Sequence, residues 1–224
     1  MTFAAGNVGQ AFSLDGVNDY VRVPQSVTLD PGTGSFTLAA WIRTSAMTDP
    51  QDIFSKYECG LSCPSTANSA YDLYLSASGT PHFDMRDSDG AAFQTISGSS
   101  SVADGAWHLV AASKDMAAGT MNLYADGALV ASSPLGSGAN GRIGDDDGEP
   151  DPLIIGAQYV GGSSALTNFF SGRIDEAMYF NRALTPAEIL SVSNSATTGL
   201  CRCTDVDGDG YGSQGGASCP NGTQ

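Results

Sequence analysis

Asp205-Val206-Asp207-Gly208-Asp209-Gly210-Tyr211 places carboxylates at i, i+2 and i+4, followed by a glycine. A hard dication such as calcium takes several oxygen ligands. Alternating aspartates aim three carboxylates at one point, and the glycine permits a sharp turn. Asp205, Asp207 and Asp209 are therefore read as calcium ligands, with Tyr211 offering its backbone carbonyl. The glutamate that closes a helix–loop–helix calcium site is replaced by Gly216, and no helix-forming sequence flanks the run. The loop is then of another kind, and weak unless a neighbouring repeat completes it. Other chemistry is sparse. No Gly-x-Ser-x-Gly and no His-Glu-x-x-His occurs. Asp84, Asp87 and Asp89 around Arg86 form the best acidic cluster for catalysis, but Asp87-Ser88-Asp89-Gly90 reads as a turn. His108, next to Trp107, is read as structural rather than as a base.

The five cysteines are Cys59, Cys63, Cys201, Cys203 and Cys219. Cys59 and Cys63 flank a short loop and can close on each other. Cys203 and Cys219 are the tail's disulfide candidates. Cysteines in loops and tail, outside the strands, point to an oxidising, extracellular setting, and the odd thiol is expected to pair beyond residue 224. A zinc site is disfavoured, because Cys201-x-Cys203 lacks a second dyad.

The elements that must carry these residues read as β-structure. Phe36, Leu38, Ala40 and Ile42 alternate with Thr37, Ala39, Trp41 and Arg43. The same period of two runs through 71–76, 107–112 and 121–126. With 28 glycines and 10 prolines spread along the chain, short strands joined by tight turns are expected. Asp126-Gly127 lies between two strand-like runs and supplies the positive φ angles of a two-residue hairpin. One helix is predicted at 186–192. Thr185 caps it, Pro186 suits its first position, and Glu188 completes a capping box. Segments 58–70 and 134–151 read as long loops. Near residue 197 aliphatic residues almost vanish, so 1–197 is one domain and 198–224 an aspartate- and cysteine-rich tail.

The net charge of −15 should repel nucleic acid and anionic lipid surfaces, and no run is apolar enough to insert in a membrane.

Six blocks, in order, resemble the laminin-G-like jelly rolls of the concanavalin A-like lectin/glucanase type. They are Gln10–Val21, Phe36–Ile42, Asp104–Ala111, Leu123–Gly127, Leu153–Gly156 with Gly172–Ala177, and Asn181–Ile189. The resemblance implies an all-β sandwich of two curved antiparallel sheets with one short C-terminal helix. It also implies a calcium ion where the first hairpin meets the returning last strand, at Asp15, Asn18 and Asp175. Alternation would point Glu176 away from the face of Asp175. The tail is similar to a thrombospondin type 3 calcium repeat, implying a stiff calcium-dependent stalk. The fold also houses glucanases, which need two carboxylic acids about 5–5.5 Å apart. Glutamate occurs only at 58, 149, 176 and 188, each alone, so catalysis is not expected.

The expected role is a secreted, non-enzymatic module that binds a glycan, with Tyr57, Tyr74, Arg86, Tyr159, Asp145 and Asp147 as candidate contacts. The alternative is a structural or adhesive module of a surface adhesin or filament, binding a surface protein, copies of itself or neighbouring repeats. An aromatic pair on one face with a flanking Asn or Asp would separate the two. No such pair is evident in the sequence.

Overall fold

The computed structural model describes residues 1–46, 49–57, 70–87, 93–136, 142–143, 151–159 and 165–195; of Tyr57 and Ala70 it describes the backbone alone. The strands are β1 (Thr2–Ala5), β2 (Gln10–Asp15), β3 (Val21–Val23), β4 (Phe36–Arg43), β5 (Gln51–Tyr57), β6 (Ala70–Leu75), β7 (Pro81–Arg86) and β8 (Gln94–Ser97). They continue with β9 (His108–Asp115), β10 (Thr120–Ala125), β11 (Ala128–Pro134), β12 (Leu153–Ile155), β13 (Gln158–Tyr159), β14 (Leu166–Thr167) and β15 (Ser171–Phe180). A helix, α1 (Pro186–Asn194), follows.

Two antiparallel sheets form a jelly-roll sandwich. One has seven strands in the order β1-β2-β15-β4-β9-β10-β11, and the other has six in the order β3-β12-β5-β6-β7-β8. Alternation decides which side chains meet between them. Phe36, Leu38, Ala40 and Ile42 of β4 face Tyr71, Leu73 and Leu75 of β6 and Phe83 and Met85 of β7 in one buried core. Phe36 is its aromatic centre, 5.1 Å from the Tyr71 ring and 6.0 Å from Tyr179. Both lysines are buried: Lys56 pairs with Asp30 at 2.7 Å. Burial pulls the Lys114 ammonium down to about 8, partly offset by the charge of Asp87.

The opposite side of the seven-stranded sheet is also covered. Ala39, Trp41, Leu109, Ala111 and Tyr124 pack beneath Ile189 and Val192 of α1. The capping box is present in full, with Thr185 accepting from Glu188 N and Glu188 accepting from Thr185 N. Asp126 and Gly127 turn the β10–β11 hairpin with φ of 50° and 82°, the left-handed pair that Asp-Gly favours. No helix among the described residues is long and apolar enough to cross a membrane.

Candidate functional site

The outward side of the six-stranded sheet carries polar chemistry. In β6 the residues between Tyr71, Leu73 and Leu75 are Asp72 and Tyr74, so both point out of the sandwich. The β6–β7 register sets Asp72 opposite Asp84 and Tyr74 opposite His82. The Tyr74 and His82 rings stack, with centroids 5.0 Å apart and planes 25° apart. Both rings are half-buried, as is Asp84, which accepts a long 3.5 Å hydrogen bond from the Tyr74 hydroxyl. His82 leads into a hydroxyl relay: its Nε2 lies 3.3 Å from Thr80 Oγ1, which lies 2.7 Å from Ser76 Oγ. Burial lowers the His82 pKa, although Asp84 opposes the shift. Burial raises the Tyr74 hydroxyl, helped by the charges of Asp84, Asp72 and Asp52.

Beside this stack lies a buried acidic cluster. Asp52 and Asp72 are each 1% exposed. Burial raises the Asp52 carboxyl well above the usual range, and the negative charges of Asp72 and Asp84 raise it further. Burial raises Asp84 as well. The β13–β14 hairpin supplies amides to this cluster. Gln158 Nε2 donates to Asp72 Oδ2 at 3.1 Å, and Asn168 Nδ2 donates to Gln158 Oε1 at 3.2 Å. Asn168, at φ 53°, also accepts from Asp52 N at 3.0 Å through its carbonyl. Asp52 and Asp72 are thus sealed from ligand, and the accessible groups are Tyr74, His82, Asp84 and the hydroxyls.

The sequence-derived calcium clamp is not assembled. Asp15 faces Ser171 across β2–β15, whereas Asp175 lies four residues further along β15, roughly 13 Å at about 3.3 Å per residue. The Asp15 carboxylate instead closes its own turn, accepting from Val17 N at 2.8 Å and Asn18 N at 3.2 Å. These bonds, the Val17 one foremost, lower its pKa. Asp175 is 4% exposed and accepts from Val8 N at 2.8 Å and Glu176 N at 3.0 Å, tying the β1–β2 loop to the last strand. The Asp15 and Asp175 carboxylates are therefore not brought to one point. A bulge between Asp175 and Met178, with Glu176 at φ 46°, breaks the alternation expected for Glu176.

The other candidates lie elsewhere. Arg86 stacks 4.6 Å over the Phe93 ring, and Tyr159 is half-buried opposite Leu166. The side chain of Tyr57, the loop residues Asp145 and Asp147, all five cysteines, and the tail ligands Asp205, Asp207, Asp209 and Tyr211 lie outside the described residues. His108 bridges two acids, 2.8 Å from Asp126 and 3.0 Å from Asp104, joining a loop to the β10–β11 hairpin.

Comparison with known proteins settles the family. Residues 15–190 match the laminin-G model described as the Concanavalin A-like lectin/glucanases superfamily. The chain belongs to that superfamily. A search of curated proteins returned no match. Among solved structures, the chain is similar to the carbohydrate-binding module CBM40 of the Ruminococcus gnavus IT-sialidase, at 16% identity and TM-score 0.60, over 79% of this chain and 97% of that one. It is also similar to the binding domain of Paraclostridial Mosquitocidal Protein 1, at 16% identity and TM-score 0.64, over 87% of this chain and 45% of that one. A third is a heptameric SAP-like pentraxin from Limulus polyphemus, at 18% identity and TM-score 0.56, over 81% and 80% of the two chains. At these identities the likeness concerns the fold.

Proposed function

We propose that the chain is an extracellular, non-catalytic carbohydrate-binding module whose sugar site is the outward side of β6 and β7. The observation that carries this reading is the Tyr74–His82 stack flanked by Asp84. A sugar presents an apolar C–H face and a rim of hydroxyls. A ring pair takes the face, and a carboxylate with neighbouring hydroxyls takes the rim. Asp84, Thr80 and Ser76 supply that rim. The fold supports the reading, because the CBM40 relative has been crystallised with α2,3-sialyllactose.

Burial argues against hydrolysis at this face. A glycosidase needs two carboxyls in contact with substrate. Asp52 and Asp72 are sealed beneath Gln158 and Asn168, which among the described residues of this face leaves Asp84 in reach. Among the described glutamates, Glu188 is spent on the helix cap and on Arg182 at 2.8 Å, and Glu176 sits on the β15 bulge.

Calcium, in this reading, belongs to the tail, held by Asp205, Asp207 and Asp209 with the Tyr211 carbonyl. The spacing of these residues supports it. A glycan array followed by calorimetry on the full chain tests the module reading. Binding that is lost in Tyr74→Ala supports it. An array without hits, together with concentration-dependent self-association, would favour the adhesive role.

A further inference from the structure

A groove of 430 Å³ opens on the outward side of the other sheet, where β4, β15 and the loop before β9 meet. Its walls include Ser13, Arg43, Ser45, Gly105, Ser171 and Arg173. Arg43 and Arg173 stand directly opposite each other across the β4–β15 register, on the same face. Like charges in that arrangement destabilise a sheet. The chain carries only 9 lysines and arginines against 24 acids, so placing two of them together is costly and invites a reason.

Neither guanidinium forms an ion pair among the described residues. Each is instead aimed by one backbone carbonyl. Arg43 Nε donates to Gly105 O at 2.7 Å, and Arg173 Nη1 donates to Ala5 O at 2.9 Å. An arginine has five N–H donors, so these single anchors orient the forks and leave most donors for a ligand. Asp175, two residues beyond Arg173, has both oxygens engaged by Val8 N and Glu176 N. The floor is backbone: a Cβ on Gly172 would sit 2.3 Å from Arg43 O, so that glycine keeps the two strands in close approach.

We propose that this groove is a second binding site, which takes the carboxylate or sulfate of an acidic saccharide between Arg43 and Arg173. The remaining walls are mainly hydroxyls and glycine backbone, with Leu14 and Ala46 the apolar residues among them. Those groups suit a hydroxylated ring better than an acidic peptide. The volume is within the ordinary range for a small-ligand site. The site lies on the sheet opposite Tyr74, so it stands or falls apart from the sugar site proposed above.

Amide chemical shifts of the full chain, titrated with glucuronate and with galactose 6-sulfate, test it. Glucose and galactose serve as neutral controls, and a short glutamate peptide as the competing class. Either acidic sugar should move Gly105, Ser171 and Gly172 in a salt-dependent way, and the neutral sugars should not. Arg43→Gln or Arg173→Gln should weaken binding about tenfold or more, the scale of one lost charge-assisted hydrogen bond. Tyr74→Ala should leave it unchanged. The wild-type shifts locate the site even where a variant folds poorly. Shifts that are absent, equal for neutral and acidic sugars, or larger for the glutamate peptide would overturn the proposal.

Discussion

Replacing Asp175 by alanine separates a structural carboxylate from a calcium ligand. In the structure this side chain is buried and accepts two backbone N–H bonds, from Val8 at 2.8 Å and Glu176 at 3.0 Å. Hydrogen bonds to a charged group contribute about 1.5–3 kcal/mol each, and buried donors left unpaired add to the loss. Some of the β1–β2 loop will relax towards water, so the two bonds together set an expected loss of about 3–5 kcal/mol. For a domain of this size that is a fall of roughly 6–20 °C in Tm. Urea and thermal unfolding should report the same loss in calcium and in chelator. Asp175→Asn keeps one acceptor and presents an NH2 to the other donor, so it should lose about half as much. Gly6→Ala provides an independent check, because its Cβ would press 2.4 Å from Asp175 Oδ2 and dislodge the same carboxylate. A loss below about 1 kcal/mol, or one seen only when calcium is present, would refute this reasoning.

Three further outcomes follow from the same structure. Burial pulls the His108 pKa down, but hydrogen bonds to Asp126 and Asp104 overcome this and hold it above the ordinary value. Its stabilising contribution is therefore full below about pH 6.5 and fades as pH rises through the raised folded value. His108→Gln should flatten that part of the pH–stability curve measured by urea titration. The raised Asp52 carboxyl acts with the same sign, favouring the fold at acid pH and losing that contribution as the group ionises. Asp52→Asn should be more stable than the wild type at pH 8, with the gap closing towards pH 4. In the tail, Asp207→Ala should weaken calcium binding by calorimetry while leaving the thermal transition of the sandwich in place.

Much of the fold was legible, because alternation and turn chemistry are local. The Phe36–Ile42 run, the Asp126-Gly127 hairpin and the Thr185–Glu188 capping box each state their structure within a few residues. The site was harder, since it depends on pairing across strands. Tyr74 was a candidate, but its partner is a histidine eight positions away, placed by a register in which paired numbers in β6 and β7 share one sum. The turn at Ser76–Thr80 contained that signal, and centring the hairpin there would have put His82 opposite Tyr74. The acidic cluster draws on β5, β6, β7 and the β13–β14 hairpin, which no local pattern connects. The separation of Asp15 and Asp175 was hidden for a related reason. Both residues lie where first and last strands meet, but the register offsets them by four positions, and each carboxylate is occupied by nearby backbone.

The central claim is that the Tyr74–His82 face binds sugar. The most direct measurement is isothermal titration of the array's strongest glycan into the full chain and into Tyr74→Ala and His82→Ala, with Tm recorded for each. The account predicts that each substitution weakens binding by about 1–3 kcal/mol, roughly five- to 150-fold, with a folded protein in every case. Unchanged affinity in both folded variants would contradict it and place the sugar site elsewhere on the sandwich.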